Sequence, residues 1–381
     1  MKLAPQGYRV AIVGASSLLG KEVLTVLEER GFPVSRLIKL ESDEEEPDAP
    51  IVDLNKDFES AMRNEEVRGQ DVDFTFLVAQ PQGGATLPAF LRTVLSSAVA
   101  GAPAAAAAAT AGAGNTGGPS VPAEATRGVV IDLTDARACA QGAGSAGVLS
   151  VPFLDRRTHR GHASHRAVPG TRLIVSPHPA AILISSLVLR LASRFPLERA
   201  VANVFGPVSE IGPKGIEELQ KQTVNLLSFQ KIPRSVFGAQ LAFNLLPRLG
   251  STQGSALAEL ETRIRQQLRE FLSGGAPLPS VRIFQAPVFY SLALSLYVET
   301  AAPSAPEALA QALEGKPVRL RRFSEGAPSQ VEAVGSGDIL VDAIAADPNH
   351  PCGAWLWAVA DNLRLAAVNA VEIAESLRPS K

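Results

Sequence analysis

The chain has 381 residues, enough for two domains with separate hydrophobic cores. With 46% hydrophobic and 19% charged residues it reads as an ordinary water-soluble protein, and a net charge of −2 supplies no basic field for nucleic acid or an anionic membrane. Its two cysteines, Cys139 and Cys352, have no paired spacing and no neighbouring His or Cys cluster, which argues against a disulfide framework and a structural zinc site.

The opening MKLAPQGYRVAIVG enters a strand without a signal-peptide apolar region, and the longest apolar run, Ala180 to Leu189, is too short to span a bilayer. A cytoplasmic protein is expected. YRVAIVGASSLLGKEVLTVLEERGF reads as a strand, a glycine-bounded turn and a helix with Val23, Leu24, Val26 and Leu27 on its period. The turn Gly14-Ala15-Ser16-Ser17-Leu18-Leu19-Gly20 sits where a dinucleotide fold places its phosphate loop, because first-turn amides and a tight glycine let the backbone approach a pyrophosphate. Ser17 replaces the middle glycine of the fingerprint, and its Cβ would crowd a diphosphate. RLIKLES is a second strand ending at Glu41, a carboxylate suited to the ribose hydroxyls of NAD and repelling the 2′-phosphate of NADP. If a dinucleotide binds, NAD is preferred. The acidic run Asp43 to Glu46 then reads as a solvated loop.

VDFTFLVA and GVVIDLT are continuous apolar strands of the kind found in a parallel sheet covered on both faces. Between them, residues 98–122 form an Ala-, Gly- and Pro-rich insertion with no chemistry of its own. His159, His162 and His165 fall among arginines in a Gly- and Ser-containing segment without an acidic partner, so a solvated basic loop is expected rather than a metal site. In LIVSPHPAAILISSLVL a buried strand turns through Ser176-Pro177-His178-Pro179 into a helix. Such a corner could present a nucleophile, but it holds no cysteine, and a proline-flanked histidine without an orienting partner reads as a surface residue.

Beyond it the texture becomes strand-rich. RAVANVFGPVSEIG and SVRIFQAPVFYSLALSLYVET read as strands, and GSALAELETRIRQQLREFLSGG as an amphipathic helix with Leu257, Leu260, Ile264, Leu268 and Leu272 on one face. WLWAVADNLRLAAVNAVEIAESL closes the chain as a strand and a long helix. The expected class is α/β: a Rossmann-like doubly wound domain over residues 1–175, completed by the terminal segment 358–381, and an α+β domain with a mixed sheet over 176–357.

These stretches together resemble the aspartate-semialdehyde dehydrogenase family almost end to end, through VAIVGASSLLGKEVLTVLEERGFPVSRL, VSEIGPKGIEELQKQT, AFNLLPRL, ELETRI, APVF and LWAVADNLRLAAVNAVEIAE in the family's order. The resemblance implies a dimer paired through the second domain, a nicotinamide dinucleotide cofactor, and reductive dephosphorylation of aspartyl phosphate through a cysteine thioester. It also implies where the chemistry should sit. Pro179 occupies the nucleophile position of the N-P-N-C turn, Gly206 that of a site glutamine, Gln285 that of the substrate-binding arginine and Leu292 that of the catalytic histidine. The D-N-S-S segment reads Asp132-Leu133-Thr134-Asp135, while His178 and Glu261 remain of the substrate cleft, the latter with a solvated helix face as its other reading.

The chain is thus similar to the degenerate Usg-like branch, in which QAPVF also replaces the arginine-containing stretch. No catalytic residue and no metal are assigned. The expectation is a non-catalytic homodimer or a partner subunit of an active relative, with a weakly bound NAD or NADP as the cofactor candidate. The alternatives are an NAD(P)-dependent oxidoreductase acting on another carbonyl substrate and a pure assembly module. Neither nucleic acid nor a membrane is expected as a partner.

Overall fold

The computed structural model describes residues 4, 6–40, 72–78, 128–135, 147–155, 173–249, 256–321 and 325–378. Glu41, Cys139, the insertion at 98–122 and His159, His162 and His165 lie outside them. The described residues form two compact units, one up to Ser176 and again from Asn369, the other from Pro177 to Val368.

The first unit contains β1 (Tyr8–Val13), α1 (Leu18–Glu29), β2 (Val34–Leu40), β3 (Phe74–Leu77), β4 (Val129–Asp132), β5 (Val148–Leu149), α2 (Pro152–Asp155) and β6 (Leu173–Val175). Its strands run β2-β1-β3-β4-β6-β5, and every pairing is parallel. The apolar runs explain this, since β3 and β4 are buried at each residue, as strands covered on both faces must be. Val23, Val26 and Leu27 form the buried face of α1, and Tyr8, Phe32 and Phe74 meet in edge and tilted contacts with centroids 5.2 to 5.8 Å apart.

The terminal segment expected from 358 begins differently: Ala358 to Ala360 close a strand, and the helix α8 (Asn362–Ser376) starts after it. The reason is Asp361, whose Oδ1 accepts the amides of Leu363 (2.9 Å) and Arg364 (3.0 Å) and so caps the helix there. The later residues of α8 are bound into the first unit. Asn369 donates to the Ser150 carbonyl and to Ser176 Oγ, and the Arg30 guanidinium forks onto Glu375 at 2.6 and 3.1 Å.

The second unit contains α3 (Pro179–Ala192), β7 (Leu197–Gly206), a 3₁₀ turn (Val208–Glu210), α4 (Pro213–Leu227), α5 (Ala256–Leu272), β8 (Ser280–Gln285), β9 (Leu292–Thr300), α6 (Pro306–Leu313), β10 (Val318–Leu320), α7 (Gln330–Ala333), β11 (Ile339–Val341), β12 (Ala345–Ala346) and β13 (Gly353–Ala360), and the start of α8. Its mixed sheet runs β10-β11-β13-β9-β7-β8 with β12 on β13. The β7–β8 and β10–β11 pairs are parallel and the others antiparallel. Along β9 the side chains alternate between core and partial exposure from Leu294 onward, the period of a strand with one covered face. Helix α3 is buried nearly all round, whereas α5 buries one stripe, Leu257, Ile264, Gln267, Leu268, Phe271 and Leu272.

Candidate functional site

The strand-to-helix corner is built by two prolines. Pro179 is the first residue of α3, where a missing N–H costs nothing and a fixed φ suits the helix. That places an imino ring, with no nucleophilic atom, at the position the sequence resemblance assigns to the thiol. His178 is the N-cap: its Nδ1 accepts the Ala180 amide at 3.2 Å, and its own amide donates to Gln267 Oε1 on α5 at 2.9 Å. An Nδ1 that accepts carries no proton, so the neutral ring holds its proton on Nε2.

That Nε2 faces Glu210 Oε1 at 3.5 Å, and the two side chains are only 16% and 17% exposed. His178 is therefore not the unoriented surface residue expected from the sequence: the cap bond and the carboxyl of Glu210 fix its ring. Burial pushes the His178 imidazole down to about 3, with the Arg263 charge adding to the effect. Burial likewise pushes the Glu210 carboxyl up to about 8, and Arg263 opposes this without cancelling it. Glu210 Oε1 is buried without a hydrogen-bond partner, and Oε2 lies 3.3 Å from where a Cβ on Gly206 would stand. The bare backbone of Gly206 is thus bordered by the Glu210 carboxyl.

The supporting frame is polar and satisfied. Asn362 Nδ2 donates to Ser209 Oγ at 3.1 Å, its Oδ1 accepts the Ser291 amide at 3.1 Å, and Asp361 Oδ2 accepts the Gly335 amide at 2.7 Å. Gly212 starts α4 at φ +90°, a backbone state that a side chain would strain.

The other residues singled out in the sequence are placed elsewhere. Leu292 is fully buried at the start of β9. Gln285 is buried and donates its Nε2 to the Gly206 carbonyl at 2.9 Å. Glu261 Oε1 accepts the Ile283 amide at 3.0 Å and Arg282 Nε at 3.2 Å, tying α5 to β8, so neither a solvated face nor a cleft residue describes it fully. Glu210 carries no signal in the sequence beyond being a carboxylate four residues after Gly206.

In the first unit the glycine loop is a helix start. Gly14 takes φ +84°, and Ser17 is the N-cap of α1, its Oγ donating to the Gly14 carbonyl at 2.7 Å and accepting the Gly20 amide at 3.0 Å. A Cβ at Gly20 would stand 2.2 Å from the Gly14 carbonyl oxygen, so only glycine allows this approach of helix to strand. The amides of Leu18 and Leu19 have no acceptor within the helix and remain suited to an anion. The Ser17 hydroxyl turns into the cap rather than outward. These residues fit a dinucleotide phosphate group at two donors, fewer than a glycine-rich fingerprint provides.

A parallel sheet with a glycine-bounded helix start, joined in sequence to a mixed-sheet unit, defines an α/β protein with a Rossmann-like first unit. Residues 189–365 match the family described as semialdehyde dehydrogenase, dimerisation domain. The chain is 26% identical to the aspartate-semialdehyde dehydrogenase of Aquifex aeolicus (97% of this chain, 98% of that protein) and 27% identical to a USG-1 protein homolog of Azotobacter vinelandii (97% of each). Among solved structures, aspartate semialdehyde dehydrogenase II from Vibrio cholerae superposes with a TM-score of 0.72 at 26% identity, covering 98% of both chains. Over nearly its whole length the chain is thus similar to aspartate-semialdehyde dehydrogenases and to USG-1 homologues.

Proposed function

We propose that this homologue does not carry out thioester-forming semialdehyde dehydrogenation and acts as a non-catalytic cytoplasmic homodimer or as a partner subunit of an active relative. The observation that carries this reading is Pro179 as the first residue of α3, which leaves no sulfur at the corner. Three further positions support it. Leu292 offers no proton acceptor, Gln285 spends its amide on a backbone carbonyl, and Gly206 has no side chain. Without a thiol at 179, a base at 292 and a guanidinium at 285, an acyl-enzyme has no atom to form on there and no group to activate its formation. The dimerisation-domain match supports self-association through the second unit.

The test is an assay of the purified protein with aspartate semialdehyde, phosphate and NADP or NAD. Turnover on the order of 1 s⁻¹ would end the reading. A second reading is an NAD(P)-dependent oxidoreductase acting on another carbonyl compound, favoured by the retained helix start at Gly14 and Gly20. Calorimetric titration with NAD and NADP separates the two, and absence of binding at millimolar concentration removes the second.

A further inference from the structure

A largely antiparallel sheet that turns one face to water alternates apolar residues inward with polar residues outward. The mixed sheet of the second unit keeps the first half of that rule and breaks the second. Its inward residues, among them Val204, Leu294, Leu296 and Val298, are buried. Outward, β7 and β9 carry Val201 opposite Tyr297 and Asn203 opposite Ser295, and β13 adds Trp355 and Trp357 in the same two registers. Each of these six is at least partly exposed. Aromatic rings form a band across the face: Phe284 stacks on Phe205 at 5.7 Å, Phe205 meets Trp357 at 6.2 Å, and Tyr297 meets Trp355 at 4.8 Å. The chain's two tryptophans both stand here. Among the described residues, α7 covers one corner, where Ala333 packs near Phe205 and Trp357 Nε1 donates to the Pro328 carbonyl at 2.9 Å.

We propose that this outward sheet face is where a second copy of the chain docks, sheet against sheet. The inference rests on the homodimer reading above and deepens it by naming the surface. An uncharged, aromatic-rich centre with a polar margin is the anatomy of a protein interface. Charge at the margin is matched within the chain, Arg199 pairing with Glu299 at 3.5 Å and Arg282 with Glu261 at 3.2 Å. In a twofold interface the same patch meets itself, so uncompensated charge would repel its own image. The small side chains of Ser295 and Asn203 on the inner strands suit the spacing of about 10 Å between packed sheets. Five strands, β12 included, about 4.8 Å apart and about 30 Å long, span roughly 700 Å² per copy, near the roughly 800 Å² per partner of a stable interface. The segment matched by the dimerisation-domain family, 189–365, contains every one of these strands.

The test is sedimentation velocity of the full chain as wild type, Ser295→Arg and Phe229→Arg, with iodide quenching of tryptophan on the same samples. Ser295→Arg sets a charge at the centre of the face, and the twofold axis makes it enter twice, so the dimer dissociation constant should rise at least about 100-fold. Phe229, 99% exposed at the end of α4 and outside the face, serves as the comparison, and Phe229→Arg should sediment as the wild type does. Both tryptophans of the wild-type dimer should resist iodide, whereas Trp355 in monomeric Ser295→Arg should be quenched. If Ser295→Arg does not fold by circular dichroism, the wild-type quenching decides alone: readily quenched tryptophan in a dimer overturns the proposal. A wild-type dimer that persists in Ser295→Arg, or that Phe229→Arg dissociates, moves the contact to another surface and leaves the homodimer reading standing. A monomeric wild type overturns both.

Discussion

Replacing Glu210 by glutamine distinguishes a neutral His178–Glu210 pair from an ion pair by the sign of the stability change. The ordinary carboxyl value is 4.5 and the buried one about 8. Below 4.5 the folded and unfolded chains both hold the proton, so Glu210 is neutral to stability. As pH rises from 4.5 towards about 8 the unfolded chain ionises while the folded one does not, and stability falls. That interval caps the cost at roughly 5 kcal/mol, and relaxation and water entry reduce it to about 2 kcal/mol. His178 has the opposite slope: its value falls from 6.5 to about 3, so its contribution is lost as pH falls from 6.5 towards about 3. Between 4.5 and 6.5 the two slopes cancel. Urea unfolding of the wild type and of Glu210→Gln across this range should therefore give a variant equal in stability at pH 4 and more stable by about 2 kcal/mol at pH 8. An imidazolium–glutamate pair would instead make the variant less stable at neutral pH, by about 3–5 kcal/mol, since one buried charge would lose its partner. That result would refute the neutral pair.

Three other outcomes are expected. Pro179→Cys introduces a thiol at the corner but not aspartate-semialdehyde turnover, because a positioned acid–base group contributes roughly 10²–10⁴ in rate and Leu292 supplies none; an NADPH-coupled assay above background would contradict this. Gly206→Gln brings a Cβ to 3.3 Å of Glu210 Oε2, so the carboxyl must shift, and the pair Gly206→Gln and Glu210→Gly shows at least about 1 kcal/mol of coupling in a thermal-denaturation double-mutant cycle; additive effects would refute the contact. Gly20→Ala, with its Cβ 2.2 Å from the Gly14 carbonyl oxygen, lowers stability by about 2 kcal/mol or more, read as a drop in Tm.

Sheet strands β3 and β4 were legible in the sequence because a parallel sheet covered on both faces demands unbroken apolar runs, and the buried stripe of α5 because its period is 3.6. The short strands β10, β11 and β12 escaped notice, as two or three residues carry no periodicity. The cap role of Ser17 was hidden behind its likeness to a fingerprint position, although a serine three residues before Gly20 is an ordinary helix-start signal. The contact between His178 and Glu210 was illegible for a different reason. It joins a helix cap to a 3₁₀ turn at the end of another strand, and only the fold brings such distant segments together.

The replaced positions share a physical logic that bears on the proposed loss of chemistry. A nucleophile at a helix start must be an exposed, reactive side chain, whereas proline there is among the best residues for beginning a helix. A catalytic histidine at the head of β9 must keep a polar ring near the core, whereas leucine there is fully buried and gains the corresponding transfer energy, about 2 kcal/mol. An arginine on β8 must keep its charge available to substrate, whereas Gln285 closes a hydrogen bond to the neighbouring strand. On the proposed reading, each of these residues meets a structural demand where a catalytic one would meet a functional demand, as expected where activity does not restrain stability. Glu210 is the exception, because burying its carboxyl beside His178 costs stability at neutral pH.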